Sequence, residues 1–203
     1  MIAGKRINFL TREAAALAAF VVLAVLVALG ALAIIDRAIL ALVQQPHAAW
    51  LDLAASLVTL FGQTEVVGTI ALGVAVARLR ARRSDWWIAL LLAVVLAVEV
   101  VLKLIVPQTP PPDELARSVP LLPFLESPTT FSFPSGHVAR VAFLVAVLRW
   151  PAGVSAAVVV AMALTRVYLA EHWPSDVVGG WLLGYGVAAL AGRRGSKRPA
   201  RQL

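Results

Sequence analysis

Apolar runs of about 17 residues or more recur along this chain, and no other feature limits its fold so sharply. A hydrocarbon core about 30 Å thick is crossed by roughly 20 helical residues. Inside it only helices and closed barrels satisfy their own backbone. Runs at about 14–35, 56–77, 86–106, 134–149, 152–171 and 176–192 reach or approach that length. The clearest, 86–106, would be about 31 Å long at 1.5 Å per residue. The spacing therefore predicts one all-α, integral-membrane domain, a bundle of six transmembrane helices. The second run has another reading, in which 52–62 is an interfacial helix and the span starts near Glu65. Lys5, Arg6 and Arg12 precede a first run longer than a signal-peptide core, so that run reads as a retained helix.

The net charge of +7 would suit a nucleic-acid partner if the basic residues shared one face. They cluster instead between apolar runs, which is a topology signal. One set of ends holds Lys5, Arg6, Arg12, Arg78, Arg80, Arg82, Arg83, Arg149, Arg193, Arg194, Lys197, Arg198 and Arg201. The opposite loops hold only Arg37 and Arg117. The positive-inside rule then places both termini (1–13 and the basic tail 193–203) in the cytoplasm of a multi-pass inner (plasma) membrane protein. Trp50, Trp86, Trp87, Trp150 and Trp173 fall near the predicted interfaces, as an aromatic belt would. With no cysteine, disulfides, thiolate zinc sites and a cysteine nucleophile are excluded. The proline-rich stretch 107–133 is the long irregular loop on the outer side. Within it Leu121 to Leu125 is apolar enough to lie on the bilayer, as a lid or as a plain connector.

In that orientation three polar stretches meet the same outer boundary. Charged groups are costly at membrane depth and are usually kept for a function. Pro134-Ser135-Gly136-His137 opens the fourth span. Proline suits a first helical turn, free N–H groups there bind anions, Ser135 adds a donor, and His137 can serve a leaving oxygen. The same residues also describe an ordinary helix start with an interfacial histidine. Arg166, His172 and Asp176 follow an R-x5-H-x3-D spacing. A carboxylate four residues after a histidine can fix its tautomer and free the other nitrogen for attack. Arg166 offers a fork for phosphate oxygens. Equally, His172 and Asp176 could be a surface pair with Arg166 snorkelling. Lys103 is a further phosphate cation, or a snorkelling lysine paired with Glu99 four residues earlier. Gly180 and Gly184 read as a helix-packing face.

Together these stretches resemble the type 2 phosphatidic acid phosphatase superfamily, which also contains vanadium haloperoxidases. The pattern K-x6-R-P, P-S-G-H, S-R-x5-H-x3-D is matched by Lys103 with Pro110-Pro111, by Pro134 to His137, and by Thr165-Arg166 with His172 and Asp176. The resemblance covers roughly residues 50–190 and implies a mechanism. His172 would attack phosphorus to form a phosphohistidine, Asp176 would hold it, and His137 would protonate the leaving oxygen. Lys103, Ser135, Gly136 and Arg166 would cradle the phosphoryl oxygens with no metal and no cofactor.

Two positions depart from the pattern. Thr165 replaces a serine and keeps a hydroxyl. Pro110 stands where the family has arginine, a loss of roughly 1.5–3 kcal/mol of charge-assisted contact. Arg140, one turn deeper than His137, is a candidate substitute; a buried pair with Glu99 or Glu65 competes for it. The expected function is metal-independent hydrolysis of a membrane lipid phosphate or polyprenyl diphosphate at an outward-facing site. A lipid phosphotransferase and a non-catalytic, phospholipid-binding pseudo-phosphatase are the alternatives. Retention of the His172–Asp176 pair argues against the second. A transporter would need paired broken helices, of which the sequence shows none. Nothing in the sequence sets an oligomeric state.

Overall fold

The computed structural model of the protein describes residues 2–121 and 130–195, and the side chains of 15–121 and 130–190. Among the described residues the regular structure is helical throughout. α1 (Ile2–Ala28) ends seven residues before the apolar run does. Gly30 takes a left-handed conformation (φ +68°), which suits a residue without Cβ. The chain then swings by 95° into α2 (Ala33–Val43). Hydropathy alone misses this corner, because residues 29–35 are all apolar or small. α3 (Ala49–Thr59) and α4 (Thr64–Arg80) are separated by a 3₁₀ turn at Leu60–Gly62 and a 42° bend. The longer of the two thus begins beside Glu65, as the alternative reading of the second run expects.

A 3₁₀ stretch, Trp86–Leu91, runs straight into α5 (Leu92–Ile105). Among the described residues this 20-residue unit is the one helix long and apolar enough to cross a membrane unaided. The bent pairs α1–α2 and α3–α4 pass the same test when each is taken together. α6 (Gly136–Leu148) and α7 (Ala152–Tyr168) are shorter apolar helices. With 13 residues, α6 is about 20 Å long, less than a hydrocarbon thickness. Length therefore does not by itself yield six spans.

α6 is buried on almost every side, as expected of a helix that is apolar all round. It is the central post, packed against α4, α5, α7 and α8 (Pro174–Gly195). α8 approaches it very closely: a side chain at Gly180 would strike the Ser135 carbonyl, and one at Gly184 the Ala139 carbonyl. This is the packing role read from the Gly-x3-Gly spacing. Arg78, from the basic cluster after α4, donates to the Val147 carbonyl at the far end of α6 (2.6 Å). That arginine anchors the end of a helix.

The loop beyond α5 is stitched down. The Gln108 carbonyl accepts from the Ser132 N–H (2.8 Å) and hydroxyl (3.1 Å), joining the loop's two limbs. Arg117 donates to the Gln44 and Pro46 carbonyls and lies over the Tyr168 ring. Gln44 in turn donates to the carbonyls of Leu115 and Tyr168. The lid-or-connector stretch beyond Leu121, and the basic tail from residue 196, lie outside the described residues.

Candidate active site

Three hydrogen-bonded junctions bring the polar stretches together. At the head of α6 the Ser135 N–H donates to the Asp176 carbonyl (2.9 Å), tying that helix start to the start of α8. At the end of α7 the Arg166 carbonyl accepts the N–H groups of Glu171 (3.1 Å) and His172 (3.2 Å). This closes a tight turn that passes through Ala170 at φ +55°. At the head of α8, Asp36 of α2 accepts from the Ser175 N–H (2.9 Å) and hydroxyl (2.7 Å).

His172 is held within that frame. Its Nδ1 lies 3.2 Å from Asp176 Oδ2, which also accepts the Trp173 N–H at 2.9 Å. Asp176 is fully buried. A carboxylate beside Nδ1 accepts a hydrogen bond from the ring proton, keeps it on that nitrogen and leaves the Nε2 lone pair free. His172 sits in the turn between α7 and α8. Burial, reinforced by the Arg166 charge, holds its pKa well below the ordinary imidazole value. The ring is therefore neutral near pH 7, the form that can attack.

The cations fall into two groups. Arg166, 5% exposed, donates from Nη1 to Thr59 Oγ1 (2.6 Å) and pairs through Nη2 with Glu171. Its Nε is buried with no hydrogen-bond partner among the described residues, as are the Ser135 hydroxyl and Asp176 Oδ1. On the other side Glu99 bridges Lys103 (3.2 Å) and Arg140 (2.7 Å). Arg140 also donates from Nε to the Gly62 carbonyl (2.9 Å), and its Nη2 lies 3.3 Å from His137 Nδ1. Gly136 packs on the Glu99 carboxylate so tightly that a Cβ there would collide with it. The charges of Arg166, Arg140 and Lys103 all act on the His137 ring, and those of Arg166, Lys103, Glu171 and Glu99 on His172.

Lys103, Ser135, Gly136, His137, Arg140, Arg166, His172 and Asp176 thus share one cluster. Pro110 is exposed and brings no charge to it. The segment beside Pro110 still runs along the site. The Thr109 carbonyl accepts from Trp173 Nε1 (2.7 Å), and Gln108 Nε2 donates to Ser175 Oγ (3.2 Å). Of the two partners weighed for Arg140, Glu99 is the one it meets; Glu65 is exposed. Thr59, Gly62, Asp36 and Glu171 were not anticipated. Only Glu171, next to His172 and five residues after Arg166, carried a spacing signal.

A family model described as the PAP2 superfamily matches residues 84–198. The chain is 36% identical over 83 residues to an undecaprenyl-diphosphatase from Sulfolobus acidocaldarius, a match taking in 37% of this chain and 39% of that protein. It is 33% identical over 120 residues to a decaprenylphosphoryl-5-phosphoribose phosphatase from Mycobacterium tuberculosis, over 58% of this chain and 65% of the relative. The chain therefore spans less than two thirds of the length of these curated relatives. In fold it is similar to the crystal structure of a transmembrane PAP2 type phosphatidylglycerolphosphate phosphatase from Bacillus subtilis. The TM-score is 0.78 at 21% identity, over 93% of this chain and 98% of the other.

Proposed function

The chain belongs to the PAP2 superfamily, and from that premise we propose that it is a membrane phosphatase acting on a lipid phosphate or polyprenyl diphosphate through a histidine nucleophile. The observation that carries this reading is a pair of partnerless buried donors in the cluster that holds a neutral, carboxylate-held histidine. Buried donors are normally satisfied, and the Ser135 hydroxyl and Arg166 Nε are not. A phosphoryl group attached to His172 Nε2 would supply their acceptors. Lys103 and the Gly136 N–H complete the cradle, and Arg140 adds its charge from behind.

In the proposed reaction His172 Nε2 bonds to phosphorus and the bond to the leaving oxygen breaks. Asp176 stabilises the positive imidazole that forms, and His137 serves the leaving oxygen. Water then releases phosphate from the phosphohistidine. Catalysis of phosphoryl transfer is mostly positioning and charge stabilisation. The cradle supplies both, so hydrolysis is metal-independent in this reading.

We read the chain as one domain that crosses the inner membrane six times. Both termini are cytoplasmic, and the site is extracytoplasmic, with 107–133 on the same side. The distribution of basic residues supports that orientation. The substrate's tail would stay in the bilayer while its headgroup enters the site. A phosphotransferase would use the same residues with a second lipid or sugar replacing water.

Purified protein in detergent should release phosphate from a polyprenyl diphosphate or phosphatidic acid in excess EDTA, and His172→Ala should not. Equal release by the variant, or release that needs a divalent metal, would reject the mechanism. The pH profile gives a second check. Because His172 is shifted downward, it stays neutral as pH falls through 6.5. After correction for the substrate's own titration, kcat/KM should hold at pH 6 and decline only at lower pH. An acid limb centred at 6.5 or above would contradict the buried, neutral nucleophile.

A further inference from the structure

We propose that Arg140, anchored by Glu99 and Gly62, fixes His137 as a neutral hydrogen-bond donor and thereby selects diphosphate over monoester substrates. This rests on the phosphatase reading above. A guanidinium only donates, so a His137 Nδ1 that lies 3.3 Å from Arg140 Nη2 is the acceptor. The ring's one proton is then on Nε2. Arg140 has little freedom to turn away: Nη1 is held by Glu99 at 2.7 Å and Nε by the Gly62 carbonyl at 2.9 Å. Lys103 holds Glu99 from its other side. Gly62 also confines the ring itself, because a Cβ there would come within 2.7 Å of His137 Cδ2. The imidazole is thus caught between a glycine and a guanidinium on the same anchor.

This arrangement has a chemical consequence. An imidazolium gives up a proton easily, whereas a neutral imidazole donates a hydrogen bond and keeps its proton. An alkoxide leaving from a monoester needs a proton; a phosphate leaving from a diphosphate does not. In the balanced reaction His172 Nε2 bonds to the terminal phosphorus. The bridging P–O bond breaks, its electron pair stays on the bridging oxygen, and the lipid monophosphate departs under a hydrogen bond from His137 Nε2–H. Water then attacks phosphorus and the N–P bond breaks, its electron pair returning to His172. Both water protons leave on inorganic phosphate. The same geometry makes Arg140 a positioning residue that acts through His137.

The test compares farnesyl diphosphate with farnesyl monophosphate. General acid catalysis is worth about 10²–10⁴-fold, so the native protein should favour the diphosphate by about 10²-fold or more in kcat/KM. Arg140→Met, which leaves Glu99 paired with Lys103, should narrow that ratio about tenfold or more. A ratio within about threefold in the native protein, or an unchanged ratio in the folded variant, overturns the proposal. If Arg140→Met does not fold, ¹⁵N-histidine NMR of the native protein decides. There are three histidines, and the His137 signal is the one lost in His137→Gln. A neutral ring protonated on Nε2 at pH 7 is expected; an imidazolium or an Nδ1–H ring overturns the proposal. Loss of hydrolysis of both substrates, matching His172→Ala, would count against the phosphatase reading, and the NMR result would still decide the tautomer.

Discussion

Asp176→Asn is expected to lower kcat on a lipid phosphate or diphosphate by about 10²–10³-fold, with KM changed only a few-fold. The side chains are nearly isosteric, and one oxygen, Oδ2, faces both the Trp173 N–H (2.9 Å) and His172 Nδ1 (3.2 Å). The Trp173 N–H can only donate, so it keeps the amide oxygen at that place, and Nδ1 keeps its proton. What is lost is the negative charge that, in the proposed reaction, stabilises the positive imidazole formed on attack. The proposed cradle of Lys103, Ser135, Gly136 and Arg166 survives, which is why binding should change little. Steady-state kinetics with single-turnover controls would check this. A fall of less than tenfold would show that the Asp176 charge does not stabilise the imidazole in the reaction.

Glu99→Gln should destabilise the protein by about 3–5 kcal/mol, the usual cost of leaving a buried charge without its partner. Glu99 is 7% exposed and pairs with two cations, Lys103 and Arg140. Its loss leaves Arg140, itself 5% exposed, with only the Gly62 carbonyl and the His137 ring. Arg140→Met should cost less, because Glu99 keeps Lys103. Thermal unfolding in one detergent at fixed concentration would rank the variants. Equal stability of Glu99→Gln and the native protein would mean that the pair is not buried from water in the folded bundle.

Much of the site could be read from spacing because its residues lie within a turn or two of one another. Glu99 and Lys103 on α5, and His137 and Arg140 on α6, are four and three residues apart, so helix geometry pairs them, and His172 lies in the turn only four residues before Asp176. Contacts that cross between distant segments leave no such trace. Thr59 reaches Arg166 across 107 residues, and the Gly62 carbonyl reaches Arg140 across 78. Both lie at the α3–α4 break, and nothing periodic marks a backbone carbonyl as an anchor. The corner at Gly30 was hidden for the opposite reason. A turn flanked by aliphatic residues has the hydropathy of a continuous span, and α2, whose Asp36 caps α8, vanished with it.

The Glu99 bridge also bears on how α5 is set in a bilayer. Leu92, Val95 and Glu99 form its buried stripe, while Val94, Val100, Val101, Leu104 and Ile105 face outward. Lipid tails are as apolar as these side chains, so solvent gives such a rod almost no preferred azimuth. One carboxylate clamped between a neighbour on its own helix and a guanidinium on α6 supplies the missing angular key. Swaps among the outward aliphatic residues should leave that bearing alone, whereas moving the acid by one position should turn Lys103 away from the proposed phosphoryl cradle.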